Sequence, residues 1–157
     1  MLKELGEEEE LESLVQKGES KMKFYLAGAS KEVDRAKAVM NGLRALGHTI
    51  THDWTEEVEK YKDTIPSDEI LSKCALQDFR GVCDADRFIL LVPENQNATI
   101  GAYVELGMAI AFHIPVYISG VSDRNIFSYL DGYGIEKIKD DETLLKEIEY
   151  KYNMGGK

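Results

Sequence analysis

The sequence predicts an α/β protein built on a parallel sheet of about five strands with helices on both faces. Short apolar runs alternate with longer segments whose apolar residues recur at helical spacing. Residues 88–92 form a continuous apolar run, which is typical of a central strand buried on both faces. Strands and helices that alternate in this way fold into a right-handed parallel sheet covered by helices.

The first part of the chain is predicted to form a strand, a helix and a second strand. Residues 24–28 have the pattern of a short buried strand that ends at Gly28. Ser30 is expected to cap a helix over residues 31–46, because its side-chain oxygen can accept from an amide of the first turn. The β-branched content of residues 48–51 then predicts the second strand.

The middle of the chain is predicted to hold an irregular segment followed by a helix. Residues 53–63 are polar and aromatic, and they are predicted to form an irregular flap. Pro66 and Ser67 open a helix that runs to about Cys83. One carboxylate, Asp78, falls on the apolar stripe of this helix, either as a functional group or as an acid at the edge of the stripe. The other members of the stripe are Leu71, Ala75 and Val82.

Ligands are expected at one edge of the sheet, because parallel strands end together and bind ligands at their carboxyl ends. The elements predicted after residues 88–92 are a helix from about Thr99, a strand at 115–118, a short helical turn at 126–130, a fifth strand at 135–138 and an amphipathic helix at 143–152. The binding edge is predicted to collect Gly28 to Ser30, Asp53, Trp54, the loop 95–101 and residues 119–123.

Length and composition indicate one globular domain with an acidic extension. The chain has 157 residues, 31% of them charged and 43% hydrophobic. Residues 1–21 hold seven Glu and are predicted to be a helical N-terminal extension, and residues 22–157 form the domain. Neither a signal peptide nor a bilayer span is predicted, so the expected location is cytoplasmic, with no membrane partner.

The charge and the metal-ligand pattern exclude several classes of partner. A formal net charge of -10 argues against polymeric nucleic acid, which requires clustered Lys and Arg. Cys74 and Cys83 are interpreted as reduced thiols, since no second Cys pair accompanies them. The histidines His48, His52 and His113 lack the spacing of a zinc motif, and no GxGxxG is present, so neither a metal nor a cofactor is expected.

Glu105 is the strongest candidate for chemistry. It is the only formal charge between Asn95 and Ser122, and apolar residues flank it on both sides. Burying an ionised carboxylate costs far more than one apolar contact returns, so such a residue requires a partner or a function. The alternative is that Glu105 lies at the solvent edge of a core helix, where its negative charge interacts favourably with the helix dipole near the first turn.

Three segments resemble the nucleoside 2-deoxyribosyltransferase family over roughly residues 23–132. They are residues 25–28, residues 78–86 and the glutamate segment 101–109, of which the last is the most specific. The resemblance implies a flavodoxin-like (Rossmann-like) fold and cleavage of the N-glycosidic bond of deoxynucleosides or their 5′-monophosphates.

The resemblance also implies roles for the three residues that carry it. Glu105 matches the family nucleophile, which forms a covalent deoxyribosyl-enzyme. Asp78 matches the acid beside the leaving base, and Tyr25 matches the tyrosine that positions the nucleophile. The chemistry suits these residue types, because an oxocarbenium-like centre requires an anion on one face and a departing base requires a proton.

The family divides according to what occupies the 5′ end of the sugar. Thr99, six positions before Glu105, resembles the hydroxyl residue of the monophosphate hydrolases rather than the acid of the transferases. Ser128 resembles the hydrolase serine that enters a neighbouring subunit's site, which implies a homodimer or higher homo-oligomer with shared sites. The arginine-containing loop of the hydrolases corresponds here to residues 30–35, where only Lys31 is nearby and two acids accompany it, which argues against a phosphate. The residues expected to bind substrate are Gly28, Ser30, Asn97, Thr99, Gly101 and Ser128.

Three functions therefore remain open at this point. The favoured prediction is an N-glycosidase acting on 2′-deoxynucleoside 5′-monophosphates, and the first alternative is a transferase that exchanges bases on deoxynucleosides. A non-catalytic nucleotide-binding or signalling module is the alternative from another class. A phosphate-ester or flavin protein is disfavoured, because the sequence shows neither a hydroxyl-rich FMN loop after the first strand nor a metal-binding carboxylate cluster. Trp54 is a candidate for stacking on the base, as are Tyr61 and Phe79.

Overall fold

A computed structural model describes residues 21–94, 100–121 and 124–155. It confirms the predicted α/β class, with a five-stranded, all-parallel sheet in the order β2-β1-β3-β4-β5. The strands are β1 (Lys23–Ala27), β2 (Thr49–Ile50), β3 (Arg87–Leu91), β4 (Val116–Ser119) and β5 (Ile135–Ile138). The helices are α1 (Val33–Ala45), α2 (Thr55–Tyr61), α3 (Asp68–Asp84), α4 (Ile100–Ala111) and α5 (Asp141–Ile148). The predicted acidic extension lies almost wholly outside the described residues.

The sheet forms the centre of the domain. Strands β1 and β3 pair along Phe24 to Ala27, and the four β1 residues from Phe24 to Ala27 are fully buried. Helices α3 and α4 pack together and contact β1. Helices α1 and α5 also pack on each other, α1 against β1 and β2 and α5 against β4 and β5. Burial of strands by helices on both faces explains why their residues form continuous apolar runs rather than alternating ones.

The strand order places a crevice at the end of β1. The chain moves from β1 outward to β2, and then returns to β3 on the other side of β1. Such a reversal leaves the loops after β1 and β3 diverging, and open α/β sheets bind their ligands there. The predicted binding edge therefore contains a topological switch point.

Two local predictions in the first half of the chain are wrong. Ser30 caps no helix: it begins a 3₁₀ turn, Ser30–Glu32, and α1 starts only at Val33. The segment 53–63 is not an irregular flap, because residues 55–61 form α2. The Asp53 side chain accepts hydrogen bonds from the amide and hydroxyl of Thr55 and so fixes the start of that helix.

The predicted apolar stripe on α3 is correct only at its end. Val82 is buried, but Leu71 is 54% exposed and Ala75 is exposed too. The inward face instead follows Cys74, Asp78 and Gly81, since the first two line a cavity and the third packs on the core. At its start, Ser67 accepts from the amide of Ile70, which confirms the predicted helix opening.

The last third of the chain follows the predicted order. The fifth strand is present, and the turn at Ile126–Tyr129 is a 3₁₀ helix. The closing helix begins at Asp141, two residues before its predicted start, because Asp140 caps it through the amide of Thr143. It continues as a π-helical turn, Glu149–Asn153. Within the described residues, no helix is long and apolar enough to cross a membrane.

Candidate active site

A cavity of about 330 Å³ lies at the carboxyl edge of β1, within the crevice that the strand order creates. Its walls come from the loop after β1, from α2, from the start and inner face of α3, and from the first turns of α4. The lining residues are Gly28, Ser30, Trp54, Glu57, Val58, Tyr61, Pro66, Cys74, Asp78, Ile100, Gly101, Ala102 and Glu105.

Glu105 is held in this cavity by Tyr25. Glu105 lies in the second turn of α4, and its Oε2 accepts a hydrogen bond from the Tyr25 hydroxyl. Burial raises the pKa of Glu105 to about 8, and the Tyr25 hydrogen bond opposes that rise. The predicted pair of a buried carboxylate and a tyrosine that positions it is therefore present.

Tyr25 is positioned by the sheet and by the approach of α3. It is fully buried on β1, where its ring stacks on Phe88 of β3 with centroids 5.8 Å apart. Gly81 of α3 lies against the same ring, and a Cβ at that position would come within 2.9 Å of it. Burial is the main cause that raises the pKa of Tyr25, so its hydroxyl remains a donor.

Asp78 faces the same cavity from α3, as does Glu57 from α2, and His52 lies next to both carboxylates. His52 Nε2 lies 3.3 Å from Asp78 Oδ1 and 3.5 Å from Glu57 Oε1. Burial raises the pKa of Asp78 to about 6; His52 acts in the opposite sense, and Glu57 raises the pKa further. The structure thus brings a second carboxylate, with a raised pKa, to the site of Glu105.

The cavity carries a marked excess of negative groups. Three carboxylates, Glu57, Asp78 and Glu105, line it, and the described lining includes neither Lys nor Arg. The Arg35 side chain is engaged on the other face of the sheet, where it binds Asp141, Glu32 and the carbonyl of Val92. Arg35 is therefore occupied by structural contacts and does not supply the missing cation.

Most of the other predicted binding residues reach the cavity. Gly28, Ser30 and Gly101 line it, as does Trp54. Trp54 is 8% exposed and its indole N–H donates to the carbonyl of Leu26, so the ring forms a fixed wall. Asn97 and Thr99 lie outside the described residues.

Ser128 does not line this cavity. It lies in the 3₁₀ turn Ile126–Tyr129 and is 1% exposed, and its hydroxyl has no hydrogen-bond partner among the described residues. Both neighbours in the turn, Phe127 and Tyr129, are exposed. The predicted role of Ser128 in a neighbouring subunit stays a prediction.

Helix α2 supplies cavity residues that the sequence predicted only at Tyr61. Its residues Glu57, Val58 and Tyr61 line the cavity, and His52 precedes it. A helical signal was present, because Trp54, Val58 and Tyr61 follow the spacing i, i+4, i+7. The number of charged residues between them hid that spacing.

Solved structures with the same fold include enzymes that act on nucleosides and nucleotides. CMP N-glycosidase BcmB from Clostridium botulinum superposes with a TM-score of 0.56 at 15% identity, over 81% of this chain and 98% of that one. A 2-deoxyribosyltransferase from Bacillus psychrosaccharolyticus gives a TM-score of 0.60 at 22% identity, over 78% of this chain and 90% of that one. A conserved protein from Enterococcus faecalis V583 gives 0.52 at 17% identity, over 82% of this chain and 98% of that one.

No protein-family model and no curated protein sequence matches the chain. The similarity to these solved structures is therefore a similarity of fold at low sequence identity. On that basis the chain has the flavodoxin-like α/β fold that a CMP N-glycosidase and a 2-deoxyribosyltransferase also have.

Proposed function

We propose that the protein cleaves the N-glycosidic bond of 2′-deoxynucleoside 5′-monophosphates, with Glu105 as the nucleophile. The observation that carries this proposal is the Glu105 carboxylate, held by the Tyr25 hydroxyl in a cavity that Asp78 also lines. A carboxylate in such a place is costly for stability and is suited to an electron-deficient sugar carbon. The fold shared with an N-glycosidase and a deoxyribosyltransferase supports the same reaction class.

The proposed reaction divides the work between the two carboxyl groups. The ionised Glu105 attacks C1′ and forms a covalent bond to it, while the bond from C1′ to the base nitrogen breaks. Asp78 assists transfer of a proton to the departing base. Water then attacks C1′, releases Glu105 and completes hydrolysis; attack by a second base would instead complete a transferase reaction.

The 5′ end of the substrate is the less constrained part of the proposal. A 5′-phosphate is favoured by the first turn of α4, where Ile100 and Gly101 line the cavity, because the start of a twelve-residue helix attracts anions. The three carboxylates and the lack of a basic side chain in the described lining favour an uncharged deoxynucleoside as the second candidate. An uncharged deoxynucleoside is the substrate of the alternative reaction, in which the enzyme transfers deoxyribose from one base to another.

A homo-oligomer is part of the proposal. Large apolar side chains remain exposed on α3, on α4 and directly after α4; they include Leu71, Leu76, Phe79, Val104 and Phe112. Phe79 and Phe112 lie edge to face with centroids 6.0 Å apart, so they form one exposed patch between α3 and the end of α4. A contiguous patch of this kind favours a second copy of the chain as its partner. Light scattering coupled to size exclusion would measure the mass and contradict this part if only monomer is found.

The proposed activity is tested by product analysis. The protein is incubated with each deoxynucleoside and each 5′-monophosphate, with and without a free acceptor base, and the products are separated chromatographically. We expect free base from the monophosphates. Mass spectrometry of the intact protein should show a 5-phosphodeoxyribosyl adduct, and peptide mapping should locate it on Glu105.

The controls use two matched variants. Glu105→Gln should lower turnover by more than about 10³-fold, since it removes the nucleophile. Glu147→Gln changes an exposed glutamate on α5 and should have no effect. A protein that binds nucleotides but releases no base under any condition would instead support the non-catalytic binding module.

A further inference from the structure

Two buried polar atoms, one on the cavity residue Asp78 and one on the adjacent His52, lack the hydrogen bonds that their burial requires. His52 Nε2 and Asp78 Oδ1 are both shielded from solvent, and neither has a hydrogen-bond partner among the described residues. They lie 3.3 Å apart, and Glu57 Oε1 lies 3.5 Å from the same nitrogen. Buried polar atoms are normally satisfied, so this convergence without a hydrogen bond calls for a further binding partner.

Two of the three separations within this group match those of ligands around a common cation. All three ligand atoms lie within 4.8 Å of one another. Zinc is bound by histidine nitrogen and carboxylate oxygen at about 2.0–2.1 Å, so two ligands of a tetrahedral site lie roughly 3.3–3.4 Å apart. The two distances to His52 Nε2 are close to this value. In such a site the lone pairs converge on the metal rather than on one another, which accounts for the unmade hydrogen bonds.

The surroundings supply the rigidity and the charge that a metal site requires. Glu57 lies on α2 and Asp78 on α3, and the Cβ of His52 packs against Gly81 so closely that a methyl group there would lie 2.9 Å from it. Glu105 adds a third carboxylate to the cavity, and no described lining residue is basic. A divalent cation would offset this concentration of negative charge.

We propose that His52, Glu57 and Asp78 form a three-ligand binding site for Zn²⁺ in the wall of the active-site cavity. The fourth position of the tetrahedron would be taken by water or by a ligand. The sequence did not predict this site, because the three ligands come from separate segments with no metal-motif spacing. Occupation of the site engages the carboxylate of Asp78, so Zn²⁺ is expected to inhibit base cleavage; this consequence rests on the proposed function, whereas binding does not.

Binding is measured with ZnCl₂ alone, by isothermal titration and by equilibrium dialysis, on the full chain without substrate. The exposed Cys83 is replaced by Ser in every protein, so that its thiol does not contribute. We expect one zinc per chain in this background. His52→Gln and Glu57→Gln should each weaken zinc binding by more than about 100-fold. Mutating a residue that only hydrogen-bonds a metal ligand already lowers metal affinity by about 10–100-fold, and loss of a ligand itself should cost more.

The matched controls are Glu56→Gln, an exposed neighbour on α2, and His113→Gln, an exposed histidine away from the cavity lining. Both should bind zinc as the parent protein does, and circular dichroism checks that every variant is folded. Absence of one-to-one binding in the parent, or parent-like binding in folded His52→Gln and Glu57→Gln, overturns the site. If zinc binds as expected but glycosidic cleavage is unchanged, the binding site stands and the proposed inhibition is wrong.

Discussion

The hydroxyl of Tyr25 donates a hydrogen bond to Oε2 of Glu105 and so joins β1 to α4 across 80 residues of sequence. Both groups are buried, and a hydrogen bond to an ionised group is stronger in the protein interior than at the surface. Because burial and the Tyr25 hydrogen bond act on Glu105 in opposite directions, the balance between them sets the pH at which the carboxylate is ionised.

Tyr25→Phe is expected to raise the pH at which Glu105 ionises. In the parent protein Glu105 should lose its proton at about pH 8, and carbon-13 NMR of labelled glutamate side chains follows that titration directly. Removing the hydroxyl removes the bond that favours the carboxylate, so the midpoint should rise by about one pH unit. Tyr150→Phe, at an exposed position, is the control. An unchanged midpoint in Tyr25→Phe would show that this hydrogen bond does not tune the nucleophile.

Glu105→Gln is expected to stabilise the protein at alkaline pH. The folded-state pKa of Glu105 is raised, so its favourable contribution is complete below the ordinary value of 4.5 and is lost as pH rises through about 8. An amide never ionises, so the variant should be more stable than the parent at pH 9, by on the order of 2 kcal/mol, and nearly equal to it at pH 5. Urea unfolding at pH 5 and at pH 9 measures the difference in free energy of unfolding. Equal stability of the two proteins at pH 9 would show that the buried charge of Glu105 does not destabilise the fold.

The sheet could be predicted from sequence because its signal is local. Residues such as Phe24 and Phe88 lie in short apolar runs, and the alternation of those runs with helical patterns determines the class of fold. The sequence signal for helix α2 is weak, because its exposed face is mostly Glu and Lys. Its apolar spacing depends only on Trp54, Val58 and Tyr61.

The candidate site was predictable only in part. Glu105 and Asp78 stand out in the sequence because each carboxylate falls among apolar residues, whereas Tyr25 was predicted only through the family resemblance. The structure brings them together at one edge of the sheet. The approach of His52 to Glu57 and Asp78 depends on how α2 and α3 pack, and no local pattern encodes that packing.

Gly81→Ala is expected to destabilise the protein by about 1–2 kcal/mol. A Cβ at this position of α3 would overlap the Tyr25 ring and the Cβ of His52 at 2.9 Å, and overpacking of this kind outweighs the gain in helix propensity. Gly107→Ala is the matched control, since an added Cβ in the middle of α4 meets nothing within 4 Å. It should stabilise by about 0.5–1 kcal/mol. Opposite shifts in urea midpoint are expected; a stabilised Gly81→Ala would contradict the close approach of α3 to β1.

Asp78→Asn is expected to slow base departure by about 10²–10⁴-fold while substrate binding persists. The amide preserves the shape of the side chain but cannot act as the acid that assists the leaving base. The control is Asp84→Asn, at the exposed end of the same helix. Steady-state kinetics separates an effect on base departure, seen in kcat, from an effect on substrate binding, seen in KM. A raised KM with unchanged kcat would make Asp78 a binding residue and remove its proposed role in proton transfer.

Thr99→Asp tests which 5′ group the protein accepts. Thr99 lies outside the described residues, and in the sequence it comes one position before α4, whose first turn lines the cavity. The family resemblance assigns it to the 5′ end of the sugar, so an aspartate at this position is expected to repel a phosphate. Like-charge repulsion should lower kcat/KM for a deoxynucleoside 5′-monophosphate by about tenfold or more, and should leave the matched deoxynucleoside unchanged or improved. Thr99→Val, which has a similar shape and no charge, separates repulsion from loss of the hydroxyl donor. An unchanged ratio between the two substrates in Thr99→Asp would reject the phosphate assignment, and the transferase reaction on unphosphorylated deoxynucleosides would then be the better proposal for this cavity.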